Sequence, residues 1–370
     1  MFQGDDALNN DLSGPGLGNS AFGWRALFTD STGNFNTAIG GGVLVLNNAD
    51  SNTGVGAAAL LLNTTGSGLD TGTENVAVGT DALVFNTGGA NDFEGSFNDA
   101  VGAFALFSNV TGFSNNAFGN RALLENINGA LNTAVGDLAL TNNGVGGSGK
   151  ASANTAVGAE ALFSNDDGDS NNAVGFNALG ASITGSQNNA MGFNVLGSSV
   201  DGAANTAMGD SAFADNVSGA FNTVIGWFAG GGVEGSDNIY IGATAGPSGS
   251  PPPPESGTIR IGDPTFVSAC FIAGIVGQSA TGGSAVFVDA DGKLGTVPAG
   301  SPLSMNEMLK EHRLVQQLKT TTEKQAARIA LQESQIQALT AALKQQGEQI
   351  QKVSAQLEMI RPAPRVVHNQ

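Results

Sequence analysis

One unit, Asn-x-Ala-(Val/Ile/Phe/Met)-Gly-x-x-Ala-Leu, recurs down this 370-residue chain and constrains its fold more than any other feature. Its opening Asn stands at 19, 36, 52, 75, 98, 115, 132, 154, 171, 188, 205, 222 and 238. Most steps are 16 or 17 residues, and three are 22 or 23. A basic period of 17 is therefore interrupted by additions of five or six residues, at about 63–74, 86–97 and 141–153. Fixed short periods are the signature of stacked repeat architectures.

Seventeen residues cannot hold two packed helices, and the unit has neither a helical stripe nor helix caps. Two short apolar pieces alternate instead with Gly, Asn, Ser, Thr and Asp, the turn formers. A Gly usually precedes the Asn by three residues, as at Gly112, Gly129, Gly168 and Gly202, and suits positive-φ corners or close backbone approach. The reading is an all-β repeat, a β-solenoid or β-roll with one 17-residue unit per coil. Stacking pairs each strand with its equivalent above and below, and like residues form ladders. Thirteen coils at ~4.8 Å make a rod on the order of 60 Å, with the insertions bulging from corners. At the start, Gly4-Asp5-Asp6-Ala7-Leu8 reads as the second half of a repeat, so the chain begins inside a coil.

Consecutive strand residues point to opposite faces, yet the Ala and the following Val, Ile, Phe or Met are both apolar. The expectation is that the larger residue fills the coil interior while Ala faces a surface supplied by a neighbouring chain. The other reading is that Ala merely fits a tight corner.

Composition narrows the function classes. The formal charge is −18, with 14 Lys/Arg against 32 Asp/Glu. Residues 301–370 hold nine basic and six acidic side chains; the remainder holds five and twenty-six. Such an acidic surface repels phosphate backbones, so nucleic acid is not an expected partner. The most apolar run, 266–280, is shorter than the ~20 residues of a spanning helix, and the N-terminus has no basic region followed by an apolar core. The single cysteine, Cys270, excludes disulfides within the chain.

Beyond the repeats, N-I-Y-I-G (238–242) and T-I-R-I-G (258–262) read as strands, with a stiff Pro251–Pro254 loop between them. Val286–Val288 and Asp289–Gly292 suggest a hairpin, whose Asp-x-Asp-Gly is a plain turn rather than half a calcium loop. From 308 to 360 a heptad pattern runs unbroken. Its apolar core is Met308, Val315, Leu318, Ile329, Ile336, Leu339, Leu343, Ile350, Val353, Leu357 and Ile360, interrupted by polar layers at Thr322, Gln325, Gln332 and Gln346. Ile-rich a positions with Gln at d favour a parallel trimer over a dimer. The expected organisation is a solenoid head over 1–246, a β-rich connector over 247–300, a trimeric coiled-coil stalk over 301–361 and a disordered tail over 362–370.

The N-T-A-V-G-x-x-A-L repeats resemble those in the heads of bacterial trimeric autotransporter adhesins and in trimeric phage-like tail fibres. The run N-I-Y-I-G … T-I-R-I-G … V-F-V-D-A-D-G-K-L-G-T resembles the segment that leads, in such fibres, into an endosialidase-type chaperone domain. The helix beginning M-N-E-M-L-K-E-H resembles the one that follows it. The resemblance implies a homotrimeric fibre on a cell surface or virion. Between Thr296 and the helix there is no room for the roughly hundred-residue chaperone, so none of its self-cleaving residues is carried over. The four-strand membrane anchor of the adhesins has no counterpart either.

Residue chemistry points the same way. Up to Asn238 the repeats contain no His or Cys and only Arg25, Arg121 and Lys150 as basic residues. Asp166, Asp167 and Asp169 form the densest acidic cluster and read as a solvated corner. Cys270 reads as a small core residue, and His312, beside the heptad core, as a surface one. Trp24, Phe104, Phe176, Phe193 and Trp227 follow the repeat Gly, either exposed to bind sugars or packed between chains. The expectation is a non-catalytic fibre without cofactor or metal that recognises a glycan or protein on a target cell. A ligand-free spacer and a glycan-processing solenoid enzyme are the alternatives.

Overall fold

The computed structural model describes residues 2–8, 16–29, 32–145, 151–247, 252–263, 265–269, 286–288, 294–295 and 305–359. The chain divides into a unit over 1–270 and a second over 271–370. Cys270, the Asp289–Gly292 turn, Ile360 and the 362–370 tail lie outside the described residues.

The first unit is a parallel β-solenoid whose fifteen strands stack in chain order, from Phe2–Gln3 to Ile259–Ile261. Nearly all are three residues long, and each pairs in register with its neighbours, as in Asn172↔Asn189, Ala173↔Ala190 and Val174↔Met191. The long coils leave the register intact: Thr53 pairs with Val76 and Val76 with Asp99 across the first two insertions, and Thr133 with Thr155 across the third. The ladder also runs past 246, because Ile259–Ile261 pairs with Ile239–Ile241. The solenoid thus ends one coil later than the sequence boundary.

The repeat Gly closes each strand in a conformation that L residues avoid. Gly136 has φ 137°, and a Cβ on it would come within 2.6 Å of the Gly158 carbonyl carbon one coil up. Beyond the Gly, positive-φ residues recur at every second position, as at Arg25 (φ 53°) and Leu27 (φ 52°). Left-handed backbone costs a non-glycine residue about 1–2 kcal/mol, so something must hold it. Amide bonds between coils do: Leu27 N–H donates to Val43 O at 3.0 Å, and Leu44 N–H to Ala59 O at 3.1 Å. The Leu side chains are buried as well.

The interior reverses the expected assignment of the strand residues. Ala38, Ala77, Ala100, Ala134 and Ala173 point inward and are fully buried, while the following Val, Ile, Phe or Met points outward. The reason is space. The buried Leu of the Ala-Leu pair reaches into the same core as the strand Ala, leaving room there for a methyl group. Val43 takes the place of the Ala of that pair, and the strand residue of the next coil is Gly54, on which a Cβ would collide with Val43 Cγ1; at Val195, the other such Val, the next coil keeps Ala207. Near the end the sizes exchange: Gly230 vacates the Leu site, and Tyr240 fills it from the strand column, its ring 6.3 Å from Phe213.

In the second unit, Phe287–Val288 pairs antiparallel with Leu294–Gly295. A 55-residue helix follows, Met305–Met359, about 80 Å long at 1.5 Å per residue. No helix among the described residues is long and apolar enough to cross a membrane.

Candidate functional site

The strands run out-in-out, and their outer face is divided lengthwise. The first outward position is mostly Thr, Asn, Ser or Asp; the second is Phe22, Ile39, Val55, Val78, Val101, Phe118, Val135, Val157, Val174, Met191, Met208, Ile225 or Ile241. This apolar seam is unbroken from coil to coil, with Phe22 54% and Met191 49% exposed. Four of the aromatics after the repeat Gly widen it: Trp24, Phe176, Phe193 and Trp227 are all exposed, Trp227 by 62%. Phe176 and Phe193 stack, with centroids 5.5 Å apart and planes 14° from parallel. Arg25 lies over both Trp24 and Phe28, at 4.9 and 4.8 Å. Phe104 is half-buried, with the Arg121 guanidinium 6.0 Å away.

The insertions form a second feature, at another corner. The first two are laddered to one another: Gly88 N–H donates to Thr64 O (2.6 Å), Ser67 N–H to Gly89 O (3.0 Å) and Phe93 N–H to Leu69 O (3.0 Å). The Asp92 carboxylate accepts from Leu69 N–H at 2.9 Å. Glu94 folds back to accept from Asn91, at 3.1 Å from its backbone N and 2.6 Å from its Nδ2. Residues 146–150 of the third insertion lie outside the described residues.

Two asparagine ladders hold the coils in place. From Asn36 onward the opening Asn residues are buried, and the Oδ1 of each accepts the backbone N–H of the next, as from Asn98 to Asn75 at 2.9 Å and from Asn188 to Asn171 at 3.0 Å. Eleven residues on stands a second column: Asn47, Asn63, Asn86, Asn109, Asn126, Asn143 and Asn165. Their amides donate side chain to side chain at 2.7–2.9 Å. Both ladders converge on one carbonyl per coil. Gly112 O accepts from Asn98 and from Asn109, each at 2.9 Å. The second column is broken at Ser182 and Ser199, before Asn216 resumes it, and there the Asn165 Oδ1 and both hydroxyls are buried without partners. The constant offset of eleven was the available signal.

At the last coils, Arg260 occupies an inward strand position. Its guanidinium donates to Glu255 through Nε (2.8 Å) and Nη2 (2.7 Å), and the Tyr240 hydroxyl donates to the same carboxylate at 2.8 Å. The Arg260 bond, chiefly, holds the Glu255 carboxyl below its usual range. Burial first, then the bond to Glu255, pushes the Tyr240 phenol well up. An Arg among alternating isoleucines was the sequence clue.

The other predicted residues are spread out. Asp169 accepts Ser152 N–H at 2.7 Å, and the Asp166 and Asp167 amides both donate to Ile183 O at 2.9 Å, which makes the cluster an inter-coil corner. Among the described residues no group of three His, Cys, Asp or Glu is placed to hold a metal ion. His312 is exposed on the helix. Val315, Leu318, Ile329, Ile336, Leu339, Leu343, Ile350, Val353 and Leu357 are all exposed along the helix, 55% or more in each case. Gln325, Gln332 and Gln346 are exposed there too, and the Thr322 hydroxyl already donates to Leu318 O at 2.9 Å. No protein-family model matches the chain, and no curated protein matches it.

Proposed function

We propose that this chain is a non-catalytic, homotrimeric fibre protein that adheres to a target cell, displayed on a cell surface or virion as in the adhesins and tail fibres it resembles. The observation that carries the reading is the apolar seam running the length of the solenoid. Large contiguous apolar surface on a soluble chain signals a partner, and a partner that matches every coil is another copy of the same repeat. The helix adds a second stripe of exposed apolar residues at heptad spacing; its a/d composition favours three strands, with Gln325, Gln332 and Gln346 as layers fixing register.

Adhesion is assigned to the insertions because the regular coils are bound by stacking: an inward Ala, a ladder Asn or a closing Gly cannot vary freely. Sites on the insertions, repeated around a three-fold axis, bind with avidity. Shortening the three insertions to the 17-residue period is expected to leave a folded trimer that no longer binds target cells. If the intact protein binds no cell, glycan or matrix protein, the spacer reading replaces this one.

A further inference from the structure

Unequal coil lengths cut a groove into the solenoid. After the second insertion, two coils of regular length, 98–114 and 115–131, fall back to the base level before the third long coil begins. The recess measures about 510 Å³, within the range of small-molecule sites. Its lining falls into two rows crossing successive coils. One is polar: Glu94, Thr111 and Asn128. The other runs from Phe113 over Ala130 to Ser152, with Leu131 beside it.

The two rows differ in chemistry. Glu94 supplies carboxylate acceptors, held in place by Asn91. The Thr111 hydroxyl donates to Asn128 Oδ1 at 2.7 Å, which fixes the amide and points to its Nδ2 as the donor for a ligand. Opposite lie the half-buried Phe113 ring and Leu131, 59% exposed. A surface with donors and acceptors along one side and an aromatic and aliphatic wall along the other matches a pyranose, which has hydroxyl edges and an apolar C–H face. Coils repeat every ~4.8 Å, close to the length one pyranose residue adds to an extended glycan. Among the described residues that line the recess the one charged side chain is Glu94, and the chain is strongly acidic, so sialylated, sulfated or phosphorylated ligands are repelled.

We infer that this groove binds a neutral oligosaccharide of hexose or N-acetylhexosamine units, lying along the fibre with Glu94 and Asn128 bonding its hydroxyls. The inference rests on the adhesion reading and supplies its ligand class.

The test titrates the full-length protein with chitotriose, cellotriose and mannotriose, and in parallel with sialyllactose and a lysine-rich peptide, by saturation-transfer NMR and calorimetry. At least one neutral trisaccharide is expected to bind. Glu94→Gln and Asn128→Ala, both at the surface, are each expected to weaken it about tenfold with the melting curve unchanged. Binding of none of the neutral sugars overturns the inference, as does binding that neither variant weakens, or a preference for sialyllactose or the peptide. Cell adhesion, measured on the same variants, separates the two proposals. Adhesion that survives both substitutions removes the groove and leaves the adhesin, whereas an intact protein that binds no cells removes the adhesin reading itself.

Discussion

The second asparagine ladder permits a quantitative test of what holds the coils together. Asn109 makes three buried side-chain bonds: its Nδ2 donates to Asn86 Oδ1 and Gly112 O, and its Oδ1 accepts from Asn126 Nδ2, all at 2.9 Å. In Asn109→Ala, Gly112 O keeps its bond from Asn98 and Asn126 keeps its bond to Gly129 O, but Asn86 Oδ1 is left buried without its donor. At about 1 kcal/mol per bond, with about 1–2 kcal/mol more for the orphaned acceptor, the loss is about 4–5 kcal/mol. The reverse change exists in the same molecule. Ser182→Asn with Ser199→Asn supplies a donor to Asn165 Oδ1 and mends both breaks, a gain of about 1–3 kcal/mol after side-chain ordering. A solenoid opens coil by coil rather than all at once, so the readout is native-state amide exchange of coil-to-coil donors such as Leu106 and Leu123. Asn109→Ala is expected to lower their protection about 1000- to 5000-fold, and the double Asn variant to raise protection in coils 165–216. A loss below about 1 kcal/mol, or a double variant less protected than the wild type, would refute the ladder as a principal source of stability.

Three further outcomes follow from the described contacts. Because Arg260 lowers the Glu255 carboxyl, the contribution of the Arg260–Glu255–Tyr240 cluster is present above the ordinary carboxylate range near ~4.3 and is lost as pH falls through the folded value; the raised Tyr240 phenol loses its contribution as pH rises above its ordinary value of ~10. Exchange of the 239–261 amides should therefore accelerate at both extremes, and Glu255→Gln should abolish the acid limb. Placing Glu at Met191 and Val174, both outward and exposed, should leave coil protection within about 0.5 kcal/mol but reduce the mass in sedimentation from about three times 37.0 kDa toward one; an unchanged mass removes the seam from assembly. Replacing Gln325, Gln332 and Gln346 by Leu should raise the helix melting temperature while loosening oligomer choice, and a lower melting temperature would rule the layers out as register devices.

The repeat spacing made the solenoid legible, since any 17-residue unit rich in turn formers has few other ways to bury its apolar pairs. The strand faces were not legible. Alternation says that Ala and Val part company but not which goes inward, and volume decides that: with the Leu column in the same core, only Ala fits. Larger residues usually indicate the core, which is why the reading was inverted. Polar interior residues were half legible. The opening Asn was evident because it begins the motif, but its partner eleven residues on fell in the variable stretch, where Asn looks like one more turn residue. The groove was legible only through the unequal coil lengths, because its rows are assembled from four successive coils, one or two residues from each.

The inverted strand has a consequence for assembly. With Ala inside and the ladder amides paired coil to coil except at Ser182 and Ser199, a single stack satisfies nearly all of its interior by itself. The outward apolar column adds nothing to that stack; threonine there would serve a lone solenoid as well and cost it less in solubility. The neighbouring outward column does hold mostly Thr, Asn and Ser, so polar residues are compatible with the strand. Apolar side chains on one edge of a three-residue face, coil after coil, form a narrow seam rather than a broad sheet surface. A seam of that shape suits copies that meet edge to edge around a common axis, each giving one line of contact, as each helix of a coiled coil gives one stripe. In the proposed trimer, stability within a chain and association between chains are set by different residues, and substitutions at Met191 and at Asn109 should separate them.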